Sequence, residues 1–157
     1  MSYTPQKIDG FGTRYIGAAR TVNTSDGSKF VRLTAGEALT KGDVVAIDWT
    51  DSTPAYGATV LKVISGTNTA AIAMGVCTET IASGDIGSIQ VQGVCTFCKL
   101  KDVGDAPGDV LMGSDTAGLA TVTAAATDLT FAILIAEDTS AITTSVNTVY
   151  LLNPLNY

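Results

Sequence analysis

Hydrophobic residues in this chain come in short runs, separated by clusters of Gly, Asp, Ser, Thr and Asn. Residues 80–97 show the pattern best. A turn cluster, Ala82-Ser-Gly-Asp85, is followed by Ile89, Val91 and Gly93 on one side and Ser88, Gln90 and Gln92 on the other. A period of two predicts a half-buried β-strand. Further strands are expected at residues 30–33, 44–47, 59–64, 71–77, 109–112, 120–123, 130–137 and 147–152. Asn153-Pro154 stops the last of these, because proline cannot donate to a ladder. The run at 44–47 is apolar at every position between Asp43 and Asp48, and its length suits a strand. Helix finds no place. Residues 117–126 are rich in alanine, but Gly118, Thr121 and Thr123 break the helical pattern, and strand plus loop is expected.

The first 29 residues hold neither period. Gly10, Gly12 and Gly17 punctuate them, and Tyr3, Phe11, Tyr15 and Ile16 are spread through them. Aromatics on a glycine-broken segment suit an extended arm that orders against a partner. The cluster Asn23-Thr-Ser-Asp-Gly27 turns the chain into the body. The expected organisation is an N-terminal arm, 1–29, and a single β body, 30–157.

Charge sharpens that division. The 157 residues carry a formal net charge of −6, with only 15% charged against 46% hydrophobic. Residues 1–32 hold Lys7, Arg14, Arg20, Lys29 and Arg32 against Asp9 and Asp26, whereas the remainder holds 4 basic and 13 acidic residues. The basic residues stand singly and the body would repel phosphate, so nucleic acid is not the expected partner. Docking of the arm on an acidic protein surface, including a neighbouring copy, fits better. The sparse charge of the body suits a surface partly covered by partners.

Candidate chemistry changes the picture little. The chain has no histidine, which removes the commonest general base and metal ligand. Cys95-Thr-Phe-Cys98 has the spacing of a redox or zinc motif. It ends a strand instead of opening a helix, however, and Cys77 makes only three thiols, short of a four-ligand zinc site. The three are expected to be reduced core residues. Asp43, Asp48, Asp51, Asp85, Asp105, Asp109 and Asp115 match no calcium loop and read as turn formers. No phosphate loop is present. No cofactor, metal or catalytic activity is expected. The apolar runs fall far short of the about 20 residues that cross a bilayer, so no membrane partner is expected. The first residues lack the apolar core of a signal peptide, and use without secretion is the expectation. Trp49, beside the turn 50–54, is expected in the core or at an interface.

A weak internal echo is visible. Gly42-Asp-Val-Val-Ala-Ile-Asp48 resembles Gly108-Asp-Val-Leu-Met-Gly-Ser-Asp115. Ile72-Ala-Met-Gly-Val-Cys-Thr-Glu79 likewise resembles Phe131-Ala-Ile-Leu-Ile-Ala-Glu137. Recurring Gly-Asp turns or a true repeat would both produce it, and the sequence leaves the two open.

Three segments carry a family resemblance. They are Ala38-Leu-Thr-Lys-Gly-Asp-Val-Val-Ala-Ile47, Met74-Gly-Val-Cys-Thr-Glu-Thr-Ile-Ala-Ser-Gly-Asp-Ile-Gly-Ser-Ile-Gln-Val-Gln-Gly93, and Gly108-Asp-Val-Leu-Met-Gly-Ser-Asp-Thr-Ala-Gly118. Over residues 30–152 the chain resembles the capsid decoration, or cement, proteins of tailed bacteriophages. The resemblance implies an all-β body, a small β-barrel or β-sandwich, that forms a homotrimer without catalytic activity. Such trimers sit on the outer surface of the expanded capsid, so the chain would be made in the host cytoplasm and end on the virion. The implied partner is the major capsid protein, with contacts between neighbouring trimers possible. The arm is the matching contact segment, with Tyr3, Lys7, Phe11, Arg14, Tyr15 and Arg20 as contact residues. The alternative is a virion head or tail fibre module that binds host-surface carbohydrate through Trp49 and Tyr56.

Overall fold

The structure, a computed structural model, describes residues 22–24, 27–51, 58–66, 72–101, 105–123, 129–136 and 147–153. Among these residues all regular structure is β. The strands are β1 (Val22–Asn23), β2 (Lys29–Ala35), β3 (Val44–Ile47), β4 (Thr59–Lys62), β5 (Ala73–Cys77), β6 (Ile86–Cys98), β7 (Val110–Gly113), β8 (Ala120–Val122), β9 (Ala132–Ala136) and β10 (Asn147–Leu152). Val22 and Asn23 fold back to pair with Phe30 and Lys29, so the last part of the expected arm joins the sheet.

Strands β2, β4, β3, β5 and the first half of β6 form a closed barrel. β2 pairs with β4 in parallel, and the other contacts, including the closing β2–β6 ladder, are antiparallel. Val31, Leu33, Val45, Ile47, Met74, Ile89 and Val91 fill its interior. The second half of β6 continues into a further ring. There it pairs with β10, β10 with β9, β9 with β7 and β7 with β8, all antiparallel. A parallel bridge between Leu100 and Ala120 closes this ring. Both rings therefore use one strand order and one set of pairing directions, and β6 ends the first and begins the second.

The repeat extends to single hydrogen bonds. The Gly42 N–H donates to the Cys77 carbonyl and the Cys77 N–H to the Asp43 carbonyl, each at 2.8 Å. In the second ring Gly108 and Leu134 make the same pair of bonds with Leu134 and Asp109, again at 2.8 Å. In each turn the aspartate carboxylate, Asp43 or Asp109, accepts an N–H from three residues back, Thr40 or Ala106, at 2.8 Å. Gly42 and Gly108 have φ of 90° and 99°, a region open to glycine at little steric cost. The Gly42 and Gly108 echo is thus part of a structural repeat, while the second echo is shifted in register, since Cys77 corresponds in its bonds to Leu134.

The rings are packed against each other through a wall. On β3, Val45 and Ile47 face into the barrel, while Val44 and Ala46 face the second core. On β5, Met74 and Cys77 face in, and Ala73 and Val76 face out. The outward set meets Cys95, Cys98, Leu100, Leu111, Phe131, Leu134, Val149 and Leu151. Burial on both faces is the reason the 44–47 run is apolar throughout. At about 1.5–3 kcal/mol for a fully buried aliphatic side chain, this wall anchors both cores at once.

Two expectations need correction. Gln90, assigned to the solvent side of its strand, is buried at 2% exposure. The chain kinks at Gly93, with φ of 90°, and the Gln90 Nε2 donates to the carbonyls of Val94 at 2.8 Å and Gln92 at 3.3 Å. The amide is buried because it serves the backbone of that kink. Trp49, given to the core or an interface, is 57% exposed in the isolated chain, which removes the core reading. It sits on a tight corner beyond β3 and outside both clusters.

The wall makes a sharp contrast between two glycines. A Cβ at Gly75, on β5, would lie 2.3 Å from the Gln90 carbonyl oxygen, a backbone atom of β6, whereas one at Gly66, with φ of 83°, meets nothing. Gly66→Ala is expected to lose about 1–2 kcal/mol through its backbone conformation alone. Gly75→Ala is expected to lose about 3 kcal/mol or more, because two strands must part. Chemical denaturation of both variants checks this; equal losses would mean the wall yields freely.

Candidate interaction surface

The strands of the second ring carry no charged residue: none lies in β6, β7, β9 or β10. In the second ring Cys95, Cys98, Leu111, Ala132, Leu134, Val149 and Leu151 point inward, and alternation leaves Val94, Val110, Ile133, Ile135, Tyr150 and Leu152 on an outer face. Register then lines four of them up. Val94 on β6 pairs with Tyr150 on β10, Tyr150 with Ile133 on β9, and Ile133 with Val110 on β7. Tyr150 is 43% exposed, Val94 49% and Val110 37%, and Ile133 is half-buried between Tyr150 and Val110. Ile135 and Leu152 extend the exposed apolar area along β9 and β10, and Thr96, Thr148 and Gln92 lie at its margin.

Charge is held elsewhere. Asp43, almost fully buried, accepts from the Lys99 Nζ at 2.5 Å and lies 3.9 Å from the Lys62 Nζ. The Thr40 N–H and hydroxyl also donate to this carboxylate, at 2.8 and 3.0 Å. Lys101 pairs with Asp115 at 2.7 Å, and the Lys41 Nζ stands 4.8 Å over the Phe97 ring. Lys101 and the Ser114 and Thr116 hydroxyls hold the Asp115 carboxyl below its ordinary range. At the Trp49 corner, the Thr50 hydroxyl and N–H donate to Asp48 at 2.6 and 2.9 Å. These two bonds, the hydroxyl's first, hold the Asp48 carboxyl below its ordinary range. Asp48 thus acts on its own turn, whereas Asp43 and Asp115 also hold lysines from elsewhere in the chain.

The cysteines lie in the two cores. Burial raises the Cys95 thiol to about 11 and the Cys98 thiol well above its ordinary value, and it also raises Cys77. All three are free and buried. The Cys95–Cys98 spacing follows from the two side chains entering one core from the end of β6. The contact residues expected on the arm, Tyr3, Lys7, Phe11, Arg14, Tyr15 and Arg20, lie outside the described residues, as does Tyr56. Sequence reading identified the strands that carry the uncharged face but not the face itself. The available signal was the lack of any charge in four strands of a chain that is otherwise acidic.

In fold the chain is similar to the N base of the head fiber gp8.5 of bacteriophage phi29. The match has a TM-score of 0.51 at 12% identity, over 79% of this chain and 93% of that one. At that identity the likeness is one of fold. No family model and no curated protein matches the sequence.

The thiols generate a test. Native chain at pH 8 is expected to resist a thiol reagent over hours, while chain in guanidinium reacts at all three cysteines. A folded thiol held above its unfolded value favours the fold below that value and loses the advantage as pH rises. Stability is therefore expected to fall between about pH 9 and 11, the window set by Cys95. Rapid labelling of native chain would show that the cores open.

Proposed function

We propose that this chain is a non-enzymatic structural protein of a tailed-phage head. In this reading it is a decoration, or cement, protein that binds the outer surface of the expanded capsid as a homotrimer, with the major capsid protein as its partner. The observation that carries the reading is the fold shared with the head fiber base of phage phi29, at a TM-score of 0.51. The family resemblance of the three body segments points the same way, and so does an uncharged apolar face on an otherwise acidic body.

The physics of such a role needs no chemistry. A protein that binds only the assembled shell stabilises it in proportion to occupancy and affinity. Three arms on one trimer make the second and third engagements intramolecular, so weak individual contacts give tight decoration. The arm is proposed to supply those contacts, with Tyr3, Phe11 and Tyr15 packing on shell protein and Lys7, Arg14 and Arg20 meeting its acidic groups.

Reversing charge on the arm tests this directly. Arg14→Glu with Arg20→Glu is expected to weaken binding to undecorated expanded heads by about a hundredfold, at roughly 1.4 kcal/mol for each arginine. The measurement is a titration of heads followed by sedimentation. Unchanged affinity would end the role of the arm, and wild-type chain that ignores heads would end the cement reading.

A second reading, a head fibre module that binds host-surface carbohydrate, is favoured by one observation. Trp49 is exposed at a corner held by Asp48 and Thr50, as a sugar-stacking residue would be. Trp49→Ala is then expected to abolish retention on host-surface glycans while leaving head binding intact. Equal retention of both chains would remove this alternative.

A further inference from the structure

We propose that copies of this chain bind one another through the uncharged outer face of β6, β10, β9 and β7, with Tyr150 at its centre. This names the surface that the homotrimer of the proposed function would use, and it rests on that reading only for the number of copies.

Charge selects the occupant. Residues 33–157 carry 4 basic and 13 acidic residues, so two bodies repel unless they meet where neither presents charge. The face of β6, β10, β9 and β7 is such a place, and closing it strips water from no ion. The chain's own arm suits it poorly. Residues 1–21 hold Lys7, Arg14 and Arg20 against Asp9, and these cations would lose water over a face with no acidic partner.

The make-up of the face fits a protein contact. Its middle is the row Val94, Tyr150, Ile133 and Val110, and its margin is Thr96, Thr148 and Gln92. An apolar centre with a polar rim is the ordinary anatomy of an interface, and tyrosine is a common anchor. Strands about 4.8 Å apart and residues about 3.4 Å apart give the face a footprint of about 300 Å². That area is about that of the largest apolar patch on a typical monomer, which is often functional, and it would form the centre of an interface of about 800 Å² per partner. Two such pleated faces can pack about 10 Å apart, as stacked sheets do.

The test is the mass of the full chain in solution, by sedimentation equilibrium from 1 to 100 µM. Wild-type chain is expected to be associated, and Tyr150→Glu to dissociate at least about tenfold more readily. Val94→Glu, also at an exposed position, is expected to do the same, and strand circular dichroism shows which variants keep their fold. Ala82→Glu, in the exposed turn before β6 and away from the face, is expected to keep the wild-type mass. Monomeric wild-type chain at 100 µM, or an unchanged mass in the folded Tyr150 or Val94 variant, overturns the inference. So does a variant that stays associated but no longer binds heads, since the face would then belong to the shell contact. Wild-type chain that associates through this face yet ignores heads leaves the inference standing and removes only the cement reading.

Discussion

Everything in this fold leans on two short strands that are buried on both sides. As the outer wall of a single barrel, β3 and β5 would leave Val44, Ala46, Ala73 and Val76 facing water and lose the stabilisation of burying them. The second ring exists, in energetic terms, to cover them. In return it gains a ready-made floor for Phe131, Leu134, Val149 and Leu151, which its own short strands enclose only in part. Asp43 pins the end of the wall. It opens β3, closes its own turn through Thr40, and holds Lys99 just beyond β6. Gly118, on the second ring, approaches this carboxylate so closely that a Cβ there would lie 3.3 Å from its carbon.

How legible this was from sequence depended on how local each cause is. The β3 run was readable to the residue, since an unbroken apolar stretch between two turn aspartates has few other uses. The Gly-Asp turns were readable for the same reason: their hydrogen bonds close within four residues. Gln90 was not readable. Its burial depends on a kink three residues later and on the strand from Phe30 that pairs with it. Trp49 misled because a large aromatic in a chain with one tryptophan suggests a core, yet its neighbours Asp48 and Thr50 bind each other and hold the backbone at a corner. The repeat was visible as an echo. Only pairing directions, and above all the parallel Leu100–Ala120 bridge, separate a repeated architecture from repeated turns.

The proposed contact face lay between these cases. Each of its strands was expected, but alternation within a strand does not say which outer faces become neighbours. That follows from the order β6-β10-β9-β7, which brings residues from 94 to 150 into one row. A chain with few charges can place them freely, and this one uses them to tie turns and the junction between its rings. On the outer face of β6, β10, β9 and β7 what is left bare is uncharged, so a contact made there would turn on shape and water release.

The shared strand has a mechanical consequence. β2 lies along the first half of β6 and β10 along the second, both antiparallel to it, with Lys29 and Leu152 flanking Gln92. A pull that separates those two points acts across the strands, so it opens both ladders from Gln92 outward, one pair of bonds after another. A pull on the far ends, Ala35 and Asn147, instead drags β2 and β10 in opposite directions along β6 and loads each ladder as a whole, since the hydrogen bonds lie across the strands. The joint is strong lengthwise and opens like a zip at its middle.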